Sequence, residues 1–210
     1  MPLKYGCFIS YRTPVGLLEK RFIEDLELGL VSELEPYFGA DLAVWRDKQR
    51  LAGGDQLDPN LAAALCQSVC MILVYTPKYF DCAHPYCARE YRAMRMLEKM
   101  RLQLVQNQAE RLHSLIIPVV VRGKKVLPAE MGTLYYDFES FTLSQPELYK
   151  HPNYDVIFKQ IAEYIYDRYL ALQGVDLMPS PCESFDLPAL DDTIHEWLCT
   201  LATPPGLPLR

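Results

Sequence analysis

Short continuous runs of apolar residues recur along the chain and predict buried strands. The runs are "YGCFIS" (5–10), "LAVW" (42–45), "VCMILVY" (69–75), "SLIIPVVV" (114–121) and the weaker "LYYDF" (134–138). A run without polar alternation is typical of a strand that is covered on both faces of its sheet. Pro118 interrupts the fourth run. Because proline lacks the N–H of a sheet ladder, it indicates an edge, a bulge or an early end to that strand.

Between these runs, apolar residues follow a helical period. In the first such segment they stand three or four positions apart, at Ile23, Leu26, Leu30, Leu34 and Tyr37. Gly39 follows as a helix stop. A second helix is predicted from Pro59 with Asp58 as its N-cap, and a third from Pro85 to beyond residue 100. A final helix is indicated by Ile157, Ile161, Tyr164 and Ile165.

Strand and helix thus alternate five times. This order predicts an α/β fold, a flavodoxin-like doubly wound sheet of about five parallel strands with helices on both faces. Open sheets of this type place their sites at the carboxyl ends of the strands. We therefore expect the functional loops to follow residues 10, 45, 75 and 121.

The last part of the chain, residues 173–210, differs from the body in residues 1–172. It holds six of the 16 prolines and six of the 27 acidic residues, and its only basic residue is Arg210. "DDTIHEWLCTL" (191–201) predicts one short helix. Two interpretations stay open: an extended arm packed on the body, or a segment that docks on a partner. Docking would use the apolar side chains Phe185, Leu187, Trp197 and Leu198.

Composition excludes several classes of function. The net charge is −6, most of it from the C-terminal extension, and nothing in the sequence calls for the basic face that direct nucleic-acid binding requires, so we expect no nucleic-acid partner. No apolar run reaches the roughly 18 residues of a membrane span. The N-terminus has no signal-peptide pattern, so we expect a cytoplasmic protein. The seven cysteines lack a second zinc-like Cys/His pair, and we expect no metal.

The positions of the cysteines predict that most of them are buried, reduced thiols. Five cysteines lie in or beside apolar segments: Cys7, Cys66, Cys70, Cys82 and Cys87. Thiols in such positions commonly behave as small buried hydrophobes, and a reducing compartment keeps them so.

The sequence lacks the motifs of several common nucleotide-binding and hydrolytic enzymes. The chain contains no G-x-G-x-x-G after its first strand, no G-x-x-x-x-G-K-[ST] and no G-x-S-x-G. It also lacks the clustered acids of a phosphoacceptor receiver domain, because Ser10, Tyr11 and Arg12 close the first strand.

Three segments in register resemble the TIR (Toll/interleukin-1 receptor) domain family, especially its bacterial members. "FISYR" (8–12) resembles box 1, and Asp47 with the Gly53–Gly54 pair resembles the acidic and glycine positions of the BB loop. "YCAREY" (86–91) resembles the W-C-x-x-E-[LY] segment that opens helix αC. The resemblance spans roughly residues 4–172.

The resemblance implies roles for individual residues. In NAD-cleaving TIR domains the glutamate of the third segment is catalytic, which implies that Glu90 is catalytic and that NAD is a substrate, with no other cofactor. The implied substrate-binding residues are Phe8, Ser10, Tyr11, Arg12, Lys48 and Tyr86. The implied BB-loop residues for self-association are Asp47, Arg50, Gly53, Gly54 and Asp55. Tyr86 replaces the usual tryptophan, and His84 replaces a small hydroxyl residue.

One carboxylate suits cleavage of an N-glycosyl bond. Nicotinamide leaves NAD as a neutral molecule, so no general acid is required, and a carboxylate stabilises the oxocarbenium-like transition state. The pyrophosphate of NAD could be bound by a positively charged side chain, either Arg12 or, in the BB loop, Lys48 and Arg50. For Cys87, the spacing to Tyr91 and Met94 favours packing over nucleophilic chemistry.

Alternatives stay open at this point. Glu90 fits a solvated helix residue, and Arg12 fits a surface charge at a strand end. The chain fits an NAD glycohydrolase or cyclase of bacterial antiphage defence, with a separate sensor or effector as partner. It also fits a non-catalytic TIR–TIR adaptor, or a nucleoside N-glycosidase resembling deoxyribosyltransferases.

Overall fold

The apolar runs form a five-stranded parallel sheet within the part of the chain that the structure describes. This computed structural model describes residues 3–39, 41–46, 58–105, 114–131, 134–141, 147–173 and 182–202. The strands are β1 (Tyr5–Tyr11), β2 (Ala43–Arg46), β3 (Ser68–Tyr75), β4 (Ile116–Val120) and β5 (Tyr136–Asp137). Their spatial order is β2-β1-β3-β4-β5, with every pairing parallel. This is the flavodoxin-like order, and it confirms the predicted fold class.

The helices cover both faces of the sheet. They are α1 (Leu17–Phe38), α2 (Asp58–Cys66), α3 (Tyr86–Leu104), α4 (Tyr154–Leu172) and α5 (Asp192–Ala202). Single turns of 3-10 helix lie at Lys124–Val126, Ala129–Met131, Leu148–Lys150 and Cys182–Ser184. Helix α1 packs against α4, and α2 packs against α3. Gly39 ends α1 with φ of 56°, a left-handed conformation that favours glycine.

The core follows the patterns read from the sequence. All eight residues of β3 are buried, as expected for the central strand of a sheet covered on both faces. On α1, Leu26, Leu30 and Leu34 are buried against the sheet and α4. Gly29 lets α4 approach closely, because a Cβ atom there would stand 2.3 Å from the Tyr154 hydroxyl and 2.4 Å from the Phe158 ring.

Pro118 lies inside the sheet, opposite Leu73 of β3, and is not on an edge strand. The residues that flank β4, Leu115 and Val121, bond to β3 through their backbone, and backbone groups alternate in direction along a strand, so Pro118 turns its nitrogen toward the β5 side. There β5 pairs only with Val119 and Val120. No ladder bond is therefore lost at the proline, and the sheet tolerates it.

The C-terminal extension packs on α3 through α5. Ile194 and Leu198 are fully buried, and the Trp197 ring stacks on Tyr91 of α3 at 5.8 Å between centroids. Upstream of α5, Leu187 is also buried, and Arg89 Nε donates to the Pro188 carbonyl at 2.6 Å. For these residues the packing agrees with the arm interpretation.

A disulfide joins the extension to the body. Cys66 at the end of α2 bonds to Cys182, 116 residues further along the chain. The expectation that Cys66 is a reduced thiol is therefore wrong. Its partner is far away in sequence, so no local spacing could reveal the pair.

As to membranes, no helix in the described ranges has the length and apolar character to cross one.

Candidate active site

Glu90 lies in the second turn of α3 and points into the protein. Its side chain is only 1% exposed, so it is not the solvated helix residue that its position alone would suggest. Ser10 Oγ, near the carboxyl end of β1, donates to Glu90 Oε2 at 2.5 Å. The two residues stand 80 positions apart in sequence. The fold therefore brings box 1 and the αC-like segment together at the expected end of the sheet.

Tyr79 extends this contact into a hydrogen-bonded chain. Its hydroxyl lies 2.6 Å from Ser10 Oγ, and the ring is 1% exposed. Serine has one hydroxyl proton, and Ser10 gives it to Glu90, so Tyr79 is the donor to Ser10. The order is thus Tyr79 to Ser10 to the Glu90 carboxylate. Tyr79 was not among the predicted site residues, although a tyrosine in the loop after a fully apolar strand was a usable signal.

An aromatic pair flanks the same side of β1. Phe8 and Ser10 share a face of the strand because side chains alternate. The Phe8 ring stacks on Trp45 of β2 with centroids 4.5 Å apart and planes 14° apart. Phe8 is buried, whereas Trp45 is partly exposed. Trp45 was also missed, although it closes the second apolar run at the carboxyl end of its strand.

Tyr11 lies on the opposite face of β1, away from Glu90. It lines a cavity of about 230 Å³ with Phe22 and Ile23 of α1. The cavity opens at the carboxyl ends of three strands and carries three cationic side chains: Arg12, Lys78 and Arg122. Of the predicted substrate-binding residues, Tyr11 and Arg12 therefore line this cavity, whereas Ser10 contacts Glu90.

Arg12 connects the two sides. Its guanidinium pairs with Asp81, in the loop between β3 and α3, at 3.4 Å. A hydrogen bond from the backbone N–H of Ala83 lowers the pKa of Asp81, and Arg12 adds to that shift. The Arg12 side chain is 30% exposed and so is not merely a solvated charge.

Tyr86 is the first residue of α3, one turn before Glu90, and it is 52% exposed. Its role in substrate binding stays a prediction. Cys87 is buried together with Tyr91 and Met94, which confirms the packing interpretation of that cysteine. His84 lies in the loop before the helix, where its backbone N–H donates to the Asp81 carbonyl.

The predicted BB-loop residues cannot be placed. Asp47, Lys48, Arg50, Gly53, Gly54 and Asp55 lie outside the described residues. Their roles in substrate binding and self-association stay predictions.

The described residues contain no group of three or more His, Cys, Asp or Glu side chains that could hold a metal ion.

Comparison with known families agrees with this geometry. The TIR domain family profile matches residues 8–147, from box 1 past β5. A comparison with curated proteins gives no significant match. The match covers well over half of the chain, and it includes the strand, the loop and the helix that carry Ser10, Tyr79 and Glu90, respectively. The chain therefore belongs to the TIR domain family.

Proposed function

We propose that this TIR domain cleaves NAD at the bond between nicotinamide and ribose, with Glu90 as its catalytic residue. The observation that supports the proposal best is the position of the Glu90 carboxylate. It is buried and accepts a hydrogen bond from Ser10 at the carboxyl end of β1. A carboxylate fixed in this way stabilises a developing positive charge without first having to be oriented.

The reaction needs little besides this charge. The C–N bond to the pyridinium breaks with its electron pair moving to the ring, so nicotinamide leaves neutral and the ribose becomes oxocarbenium-like. In a water-poor site the Glu90 carboxylate interacts strongly with that cation. Water then attacks the sugar and gives ADP-ribose, or a hydroxyl of the substrate attacks it and gives a cyclic ADP-ribose, which contains one water fewer. The loss of a proton from the attacking oxygen completes the reaction.

Other side chains supply binding. The exposed ring of Tyr86 stands one helical turn from Glu90, within reach of a base or nicotinamide that stacks on it. Arg12 at the end of β1, with Lys48 in the BB loop, provides positive charge for the pyrophosphate. The Phe8–Trp45 stack forms a rigid apolar wall beside Ser10.

The buried state of Glu90 suggests how activity is controlled. With 1% of its surface exposed, the carboxylate meets a substrate only after neighbouring groups rearrange. Self-association of TIR domains through the BB loop would supply that rearrangement and open the site. As the biological setting we propose bacterial antiphage defence in the cytoplasm. NAD would be depleted or converted to a signal, and a separate sensor or effector would act with this protein.

The test is incubation of the purified chain with NAD, with products identified by mass spectrometry. The proposal predicts nicotinamide together with an equal molar amount of ADP-ribose or of a cyclic ADP-ribose, which has the mass of ADP-ribose less one water. A parallel arm supplies nucleosides and deoxynucleosides, and cleavage of those alone would assign the protein to the nucleoside N-glycosidases. Absence of any cleavage over a wide protein concentration range, with TIR–TIR assembly intact, would favour the adaptor alternative and overturn the proposal.

A further inference from the structure

A second pair of cysteines connects the C-terminal extension to the body. Cys82 lies in the loop between β3 and α3, and Cys199 lies on α5. Both are thiols, and their Sγ atoms stand 3.6 Å apart across 117 residues of sequence. A disulfide has its sulfurs about 2.05 Å apart, so a shift of roughly 1.5 Å would join them.

The first pair shows that the extension is already held at one end. Cys66–Cys182 fixes the extension to the end of α2 at Cys182. Between Cys182 and Cys199 the chain adds the Pro188 contact and the buried side chains Ile194 and Leu198. These contacts keep the Cys199 thiol near Cys82 before any bond forms. That preorganisation favours the second bond over other pairings.

The remaining thiols are poor competitors. Cys7 and Cys70 are fully buried, and Cys87 is 4% exposed. Cys199 is exposed and Cys82 is partly exposed. Burial raises the pKa of the Cys82 thiol, so a peroxide acts first on the exposed Cys199.

We propose that Cys82 and Cys199 form a reversible disulfide that latches α5 onto the β3–α3 loop in response to peroxide. The Cys199 thiolate attacks the peroxide O–O bond, becoming a sulfenic acid and releasing water after protonation. Cys82 then attacks the sulfenic sulfur as a thiolate, forming the S–S bond and expelling hydroxide, which takes up the proton that Cys82 lost. The two thiols lose two electrons in total, and hydrogen peroxide leaves as two molecules of water.

The latch acts on the segment that supports the candidate active site. Cys82 is three residues after Tyr79, whose hydroxyl bonds to Ser10, and it directly follows Asp81, which pairs with Arg12. A covalent bond to α5 restrains this loop. The consequence for activity rests on the proposed function: because Glu90 must become accessible, the oxidised form holds the site closed.

The stabilisation is set by the ring that the new bond closes. With Cys66–Cys182 already formed, the shortest covalent ring through Cys82 and Cys199 contains roughly 35 residues. Such a ring reduces the number of conformations that the extension can adopt when α5 detaches from the body. Opening of α5 therefore becomes rarer in the native protein. We expect amide exchange in α5 and in the 76–85 loop to slow by at least about tenfold on oxidation.

The experiment treats the full chain with hydrogen peroxide, removes the peroxide with catalase, and maps disulfides by mass spectrometry. Hydrogen–deuterium exchange is measured on the same samples before and after reduction by dithiothreitol, with Cys66–Cys182 followed in each map. Cys199→Ser and Cys82→Ser are the control variants. Each retains a small polar group at a site that is not fully buried.

The expected result is a Cys82–Cys199 peptide in the oxidised wild type, slower exchange in both segments, and neither effect in the variants. Absence of that peptide while Cys66–Cys182 is intact, or its formation without any change in exchange, overturns the latch. Nicotinamide release is measured separately on the same samples. A reduced protein that releases none contradicts the proposed function, while the mapping and exchange results still decide the latch. Full activity in the latched form overturns its role in closing the site.

Discussion

Removing the Ser10 hydroxyl isolates the contribution of the chain from Tyr79 through Ser10 to Glu90. Ser10→Ala deletes the donor to the Glu90 carboxylate and leaves the carboxylate itself in place. A hydrogen bond to a charged group contributes about 1.5–3 kcal/mol. If that bond orients Glu90 in the transition state, kcat falls by roughly 10- to 150-fold. The resemblance had implied that Ser10 binds NAD itself. If buried Ser10 instead acts through Glu90, KM changes little; a rise in KM would assign Ser10 to substrate binding.

Two further variants should lower kcat by less than Ser10→Ala does. Tyr79→Phe removes a neutral donor one bond further from Glu90, so the expected loss is only about 0.5–1.5 kcal/mol, or roughly 2- to 12-fold in kcat. Ser10→Cys keeps a weaker donor of similar shape and should fall between wild type and Ser10→Ala.

Ser68→Ala is the matched control for loss of a buried serine bond. Ser68 is also fully buried, and its hydroxyl donates to the Ala64 carbonyl at 2.7 Å, at the end of α2. It should lower the melting temperature without lowering kcat per folded molecule. The assay is steady-state nicotinamide release, corrected for the folded fraction. The reasoning is refuted if Ser10→Ala keeps more than half of wild-type kcat, or if Ser68→Ala loses as much.

Three other predictions concern the ligand, the fold and the assembly. Tyr86→Ala should weaken NAD cleavage much more than Tyr86→Trp, which restores the usual aromatic residue; equal losses would assign Tyr86 to packing. Gly29→Ala should lower the free energy of unfolding by about 1–3 kcal/mol, measured by denaturant titration, because its Cβ would overlap the Tyr154 hydroxyl and the Phe158 ring; an unchanged midpoint would contradict the close packing of α1 on α4. Specific activity should rise with protein concentration over a hundredfold range, with mass followed by light scattering, and Gly54→Trp should suppress turnover without unfolding; constant activity from a monomer that tolerates Gly54→Trp would exclude activation by assembly.

Much of the fold was accessible from the sequence because local rules and global packing agree. The apolar run of β3 is buried at every position, and Gly39 ends α1 where the helical period stops. The β3 prediction depends only on the burial of a continuous apolar run, and the helix end depends only on residues close together in sequence. Pro118 was harder, since its tolerance depends on how far β5 extends along β4, a property of the sheet and not of the run.

The candidate site was only partly accessible. The likeness to box 1 and to the αC-like segment pointed to Ser10 and Glu90, but not to the bond between them across 80 residues. Tyr79 and Trp45 were missed because their roles come from side-chain contacts across strands and loops. Tyr11 was grouped with Ser10 through the likeness to box 1, and strand alternation places its side chain on the opposite face of β1. The Cys66–Cys182 bond depends on where the extension folds back, which spacing does not encode.

The most direct test of the account compares two buried glutamates on the same helix. Glu90 and Glu98 both belong to α3 and are 1% and 4% exposed. Glu98 accepts hydrogen bonds from Ser114 Oγ and the Leu115 N–H, each at 2.8 Å, away from the candidate site. Each is changed to glutamine, and nicotinamide release from NAD is measured per folded molecule under conditions in which the wild type is active.

The account predicts that Glu90→Gln loses at least about 100-fold in rate, corresponding to ~3 kcal/mol of transition-state stabilisation. Glu98→Gln should lower stability but stay within about threefold of the wild-type rate, because its carboxylate only supports the fold. A Glu90→Gln protein that keeps more than about a tenth of the wild-type rate, or an equal loss in Glu98→Gln, would contradict the assignment of Glu90 as the catalytic residue.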